Sequence, residues 1–219
     1  MHAVWYQFSV DSRNVDAVLA QVADAVVPKA RAIRGFVSFV VYDDGTGAVT
    51  AMATFETLDS AVTARDAFDT WLTAPSALIG SESRVIVGML AVRTVSIGAN
   101  HAIGLRCNVE PTHLDQAIAL LEAAFVPLMQ STRGFCSCEV IRMDTASDLL
   151  VICGFDTLAA ADRVLDLAND WVRQNLGAFL NGPPECFSVA VRLRAVPMGN
   201  QGRRGFRWPT RRRIADPRS

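Results

Sequence analysis

Arg34-Gly35-Phe36-Val37-Ser38 and Arg133-Gly134-Phe135-Cys136-Ser137 are one five-residue phrase met twice, 99 positions apart. Working outward, the same offset relates His2-Ala3-Val4 to His101-Ala102-Ile103 and Val27-Pro28 to Val126-Pro127. Downstream, Phe55-Glu56-Thr57-Leu58 recurs as Phe155-Asp156-Thr157-Leu158 and Trp71 as Trp171, one residue later in register. Agreement of this length without a gap identifies an internal duplication. The single extra residue falls in the turn around Asp144 to Asp148.

Each copy opens on strict alternation. Val4, Tyr6, Phe8 and Val10 point one way and Trp5, Gln7 and Ser9 the other; in the second copy Ile103, Leu105, Cys107 and Val109 oppose Gly104, Arg106 and Asn108. That period of two is the mark of a half-buried strand. Val15, Val18, Leu19, Val22 and Val26, matched by Leu114, Ile118, Leu121 and Phe125, then follow helical spacing. Asp16 and Asp115 sit in the first turn, where the helix dipole favours an anion.

Proline at 28 and 127 and glycine at 35 and 134 punctuate the chain before a second strand, Phe36 to Tyr42 and Phe135 to Ile141. Asp43-Asp44-Gly45-Thr46-Gly47 tolerates positive φ and closes a hairpin into a third strand, Val49 to Phe55. A second helix carries Ala61, Ala64, Phe68 and Trp71, or Ala161, Val164, Leu165, Ala168 and Trp171, on one side. A last strand, Arg84 to Val92 or Phe187 to Leu193, completes the unit.

The order βαββαβ with two amphipathic helices is the ferredoxin-like, split-βαβ arrangement of the α+β class. Helices cover one sheet face; by alternation the other carries Trp5, Phe36, Val40 and Phe135, too apolar to face water. Packing the two sheets against each other within one chain solves this. The expected organisation is a first repeat over residues 1–95, a second over 100–196 joined by the connector Thr94 to Asn100, and a basic, disordered tail over 197–219.

Composition limits the function classes. With 51% hydrophobic residues in 219, each half has material for its own core. No export signal is read at Met1 to Gln7, and the longest apolar stretches, such as Val85 to Val92, are too short to cross a bilayer as a helix. All five cysteines (Cys107, Cys136, Cys138, Cys153, Cys186) lie in the second copy. An odd number without counterparts argues against a disulfide framework and for a reducing cytoplasm. The net charge of −1 hides an acidic body of −7 and a tail of +6, since residues 199–219 hold seven arginines and one aspartate. Arginine mixed with Phe206 and Trp208 suits phosphates or an anionic surface, but terminal basic runs are usually disordered, so nucleic acid is not an expected partner.

The Arg-Gly-Phe entries at 34–36 and 133–135, Thr54-Phe55-Glu56-Thr57, and the alanine-rich second helices ending in Trp71 and Trp171 resemble the antibiotic biosynthesis monooxygenase-like group of dimeric α+β barrel proteins. The resemblance covers roughly residues 2 to 194 and implies a fused dimer whose two sheets form one barrel with the active site inside. Known members of that superfamily include cofactor-free oxygenases of anthrones and quinols, and haem-degrading enzymes. Phe68-Asp69-Thr70-Trp71 is similar to the aromatic part of the haem branch, but no histidine follows Trp71 or Trp171 in its own repeat. Gln7 and Arg106 stand where that branch carries a strand-one asparagine.

The site candidates are the strand residues facing away from the helices: Trp5, Gln7, Ser38, Arg106, Asn108, Ser137 and Glu139. Arg106 and Glu139 are expected either to line a ligand pocket or to satisfy each other as a structural ion pair. Trp71 and Trp171 read as core. His2, His101 and His113 form no metal-like pair, and Cys136 and Cys138, two apart on a strand with Cys107 beside them, read as small buried apolar groups. The function implied is a cofactor-independent, monooxygenase-like barrel enclosing a small aromatic or quinone-type ligand, with Gln7, Arg106 or Asn108 stabilising an enolate or phenolate. The alternatives are a non-catalytic binding or structural barrel and, as a minor reading, haem binding. No metal or other cofactor is called for, the catalytic residues are unassigned, and further self-association of the chain is an open expectation.

Overall fold

The computed structural model describes residues 1–72, 79–95, 98–143 and 148–197. The extra residue expected near Asp144 and all of the tail beyond Pro197 lie outside these. The first repeat runs β1 (His2–Val10), α1 (Val15–Gln21), α2 (Val27–Ala32), β2 (Phe36–Asp43), β3 (Ala48–Phe55), α3 (Leu58–Leu72) and β4 (Ile79–Val95). The second runs β5 (His101–Asn108), α4 (Leu114–Leu120), α5 (Val126–Gln130), β6 (Phe135–Met143), β7 (Asp148–Phe155), α6 (Leu158–Leu176) and β8 (Glu185–Ala195). Both final strands are longer than alternation alone suggests, and β4 runs through Val95 into the expected connector.

The strands close an eight-stranded barrel in the order β1-β3-β2-β8-β5-β7-β6-β4. Within each half the order 4-1-3-2 is that of the ferredoxin-like sheet, and the halves are joined reciprocally: β4 pairs with β6, and β8 with β2. Every pairing is antiparallel, so β1, β2, β5 and β6 all begin at one end of the barrel and finish at the other, where the β2–β3 hairpin lies. Closure leaves no free sheet edge. Gly45 and Gly47 adopt φ of 78° and 104° in that hairpin, as its sequence requires.

Three cores follow from the alternation. Val4, Tyr6, Phe8, Phe39 and Phe55 pack under the helices of the first half with Val18, Leu19 and Phe68. Ile103, Leu105, Cys107, Cys138 and Phe155 do the same in the second with Leu121, Phe125 and Val172. Trp5, Val40, Tyr42, Met52, Ile141, Leu150 and Ile152 fill the barrel itself. Each fully buried large side chain of this kind contributes about 1.5–3 kcal/mol. Trp71 and Trp171 are partly buried against the two helix-side cores.

Two local features depart from the simple pattern. Phe36 and Phe135 pack on the helix side, not inside the barrel. The register slips between Phe36 and Ser38 and between Phe135 and Ser137, and the extra residue of such a bulge reverses the alternation before it. The first helix of each repeat also contains a π-helical turn, Val22–Val26 and Leu121–Phe125, ending two residues before the proline. A proline inside an α-helix lacks its N–H and clashes with the carbonyl four residues back, Asp24 or Ala123; the wider turn relieves both and lets the helix continue.

Candidate functional site

The barrel interior is polar at both ends and apolar between them. At the hairpin end a cavity of about 220 Å³ is floored by Trp5, Ile86, Leu150 and Phe187 and rimmed by Gln7, Thr50, Arg84, Arg106, Asp44 and Glu185. Trp5 stacks on Tyr42 with ring centroids 6.4 Å apart and planes 28° apart. Phe187 lies directly over Gly104, the counterpart of Trp5 in the second repeat: a Cβ there would meet the ring at 2.1 Å. The glycine is thus the space that the phenylalanine occupies.

Strand register divides the rim into two walls. On β1, Gln7 pairs with Thr50 on one side and Arg84 on the other. On β5, Arg106 pairs with Leu150 and Glu185. In the eight-strand ring β1 and β5 stand four strands apart in either direction, so the two walls face each other across the cavity. Among the described side chains two arginines and two carboxylates line it, with no net charge between them.

Arg106 is fixed from behind. Its Nη2 donates to Asp148 Oδ2 at 2.9 Å, and Asn108 Nδ2 donates to Asp148 Oδ1 at 2.7 Å. Asn181 Nδ2 in turn donates to Asn108 Oδ1 at 2.8 Å. Burial alone would raise the Asp148 carboxyl, but the hydrogen bonds from Arg106 and Asn108, with the charges of Arg106 and Arg84, hold it below the usual carboxylate range. Glu185 is a looser partner, 3.8 Å from Arg106 with its side chain 73% exposed. Asn108 lines no part of the inner cavity; it faces an adjoining outer cleft of about 270 Å³ with Arg106, Asp148, Pro183 and Glu185.

Ser38, Ser137 and Glu139 belong to the opposite end. Glu139, 8% exposed, accepts from Arg93 Nε at 3.0 Å, and Arg93 Nη2 reaches Ser38 Oγ at 3.4 Å. The expected Arg106–Glu139 pair therefore does not form: register sets Glu139 opposite Arg93 of β4, while Arg106, near the finish of β5, pairs with Asp148. Ser137 Oγ lies against the bare backbone of Gly154, 2.6 Å from where a Cβ would stand. The seven candidates thus divide into Trp5, Gln7, Arg106 and Asn108 at one end and Ser38, Ser137 and Glu139 at the other. Arg84, Asp148, Glu185 and Phe187 escaped sequence reasoning, although each stands in register beside or close to a candidate on β1 or β5.

Cys138 and Cys153 face each other across β6 and β7 with sulfurs 3.3 Å apart in the helix-side core. The bulge removes Cys136 from that face, contrary to the two-residue spacing. Burial pushes the Cys107 thiol up to about 12 and the Cys153 thiol well above its ordinary value, so both stay protonated and unreactive. Among the described residues no group of three histidine, cysteine or acidic side chains is placed to hold a metal ion. A second void, between the helices and sheet of the first half near Tyr6, Phe68 and Trp71, measures about 10 Å³. That is roughly the room of a single water and excludes an organic ligand.

Comparison with known proteins places this geometry. No family model and no curated protein sequence matches the chain. Solved structures do. A "putative monooxygenase" of Lactobacillus acidophilus superposes with a TM-score of 0.69 at 10% identity, over 89% of this chain and 95% of its own. An anthrone oxidase-like protein gives 0.69 at 13%, over 91% and 94%. A ferredoxin-fold protein of Listeria monocytogenes related to antibiotic biosynthesis monooxygenases gives 0.55 at 8%, over 88% and 95%. The chain has the tandem dimeric α+β barrel fold of these monooxygenase-like proteins.

Proposed function

We propose that the barrel encloses a small, uncharged 1,4-dioxygenated aromatic, a quinol, and oxidises it with molecular oxygen without a bound cofactor, the quinone being the product. The observation that carries this is the pair of facing polar walls, Gln7 with Arg84 and Arg106 with Glu185, across an apolar floor of Trp5, Leu150 and Phe187. A para-dioxygenated ring laid on that floor directs one oxygen to each wall. The cavity of about 220 Å³ falls below the roughly 300–1,000 Å³ of sites for drug-sized ligands, so one or two fused rings fit and a haem macrocycle does not.

Loss of a phenolic proton to solvent or to Glu185 leaves a phenolate that Arg106 and Gln7 stabilise in a site walled by apolar side chains. Such preorganised donors act most strongly where water is excluded. The electron-rich ring then reacts with oxygen. For a 1,4-quinol, two electrons and the two phenolic protons pass to O2, giving the quinone and H2O2; a ring methylene, as in an anthrone, takes one oxygen atom instead, giving a carbonyl and H2O. The similarity to an anthrone oxidase-like protein supports this class of reaction.

An oxygen electrode with 1,4-naphthalenediol tests the reading. Oxygen uptake above the spontaneous rate, lost in Arg106→Ala, is the expected result. Binding without uptake identifies a non-catalytic ligand-binding barrel, which the internal pairing of Arg106 with Asp148 also suits. Neither binding nor uptake overturns the proposal.

A further inference from the structure

Arg106 and Glu185 line both the inner cavity and the outer cleft, so this pair of side chains stands where the two spaces meet. We infer that the outer cleft is a second subsite, which takes a neutral or cationic polar substituent carried by the aromatic ligand and discriminates against an anionic one. This rests on the proposed occupation of the inner cavity by an aromatic ring.

The two members of the pair are held very differently. Arg106 is bound at 2.9 Å to Asp148, whose side chain is 12% exposed and which also accepts from Asn108. Glu185 stands 3.8 Å away and is 73% exposed, free to turn without breaking a buried contact. A substituent projecting from the inner cavity past Arg106 therefore meets a fixed guanidinium and a movable carboxylate. Moving Glu185 aside costs only the looser contact.

The chemistry of the cleft then sets the class of substituent. Its described walls are Arg106, Asn108, Asp148, Pro183 and Glu185, one cation against two carboxylates, a net charge of −1 among these residues. Both oxygens of Asp148 are already engaged, and Arg106 spends its Nη2 on Asp148, so on the cleft side the arginine's charge is offset and an incoming anion meets an excess of carboxylate. Glu185 remains as an acceptor, and the second N–H of the Asn108 amide and the rim of Pro183 complete a surface for hydroxyl or ammonium groups. The inner cavity, with balanced charges, makes no such selection.

Four phenols with one ring and different tails separate the two spaces: 4-ethylphenol, tyrosol (hydroxyl), tyramine (ammonium) and 4-hydroxyphenylacetate (carboxylate). Ligand-observed NMR titration of the full chain reads their dissociation constants. A unit charge roughly 4–5 Å from a net charge of −1 in water-rich surroundings shifts affinity about fivefold. Tyramine is expected to bind about fivefold more tightly than tyrosol, and 4-hydroxyphenylacetate about fivefold more weakly. The spread should shrink in 1 M salt, where screening acts over roughly 3 Å. Glu185→Gln, a conservative change at an exposed side chain, neutralises the cleft and should bring tyramine and 4-hydroxyphenylacetate together. Equal binding of all four, or an unchanged spread in Glu185→Gln, overturns the subsite while the ring site stands. Failure of every phenol to bind overturns the ring site, and the subsite with it.

Discussion

Replacing Gly104 with alanine puts a methyl group where the Phe187 ring now lies. The new Cβ would stand 2.1 Å from ring carbons Cε2 and Cζ, against an ordinary carbon–carbon separation of about 3.5–4.0 Å, so the ring must retreat by roughly 1.5 Å. Overpacking of this kind costs about 1–3 kcal/mol. The alanine recovers up to about 1 kcal/mol by restricting the unfolded chain. The net loss is about 1–2 kcal/mol, a fall in Tm of roughly 2–8 °C for a chain of this size. Because Phe187 floors the cavity, affinity for a naphthalenediol falls as well. Gly177→Ala is the control: nothing lies within 4 Å of its Cβ and its φ of −51° suits any residue, so it should be neutral or slightly stabilising. Thermal melting and ligand titration read both effects. Phe187→Leu in the Gly104→Ala background should recover part of the lost stability. A Gly104→Ala protein with unchanged Tm and affinity would refute the packing argument.

Three other outcomes follow from the charges and thiols. Arg93→Ala leaves Glu139 buried without its cation and should cost about 3–5 kcal/mol in urea unfolding, with the double change Arg93→Ala/Glu139→Gln costing less. The Asp148 carboxyl lies lower in the folded chain than in the unfolded one, so its contribution is full above the unfolded value near 4 and disappears as pH falls through the folded value. The stability difference between wild type and Asp148→Asn, measured by denaturant titration, should therefore be larger at pH 7 than at pH 2.5. Reaction of the native chain with an aromatic disulfide reagent at pH 8 should label Cys186 first, because it is only half-buried, while Cys107 and Cys153 react only after unfolding. Mass spectrometry of the labelled peptides distinguishes them.

The duplication, the strand alternation and the βαββαβ order were legible because they are local: each needs only neighbours within a dozen residues. What failed depended on contacts distant in sequence. Phe36 and Phe135 obey simple alternation in sequence, yet a bulge beside each reverses its face, and nothing at Val37 or Cys136 announces it. The candidate cluster was read as one site since all seven residues face away from the helices. Only the cross-strand register, which sets Arg106 beside Glu185 and Glu139 beside Arg93, separates the two. Arg84 and Glu185 are ordinary charged residues near strand starts, and their importance arises from standing in register with Gln7 and Arg106. Asp148 is similar: its role as the anchor of Arg106 depends on a cross-strand geometry that closes over 42 residues.

A crystal structure of the chain soaked with 1,4-naphthoquinone would show whether the barrel takes a para-dioxygenated ring. The expected result is density for one planar ligand in the barrel between Trp5 and Phe187, one carbonyl directed at Gln7 and Arg84 and the other at Arg106. Density only outside the barrel, or an interior unchanged at saturating quinone, would contradict it.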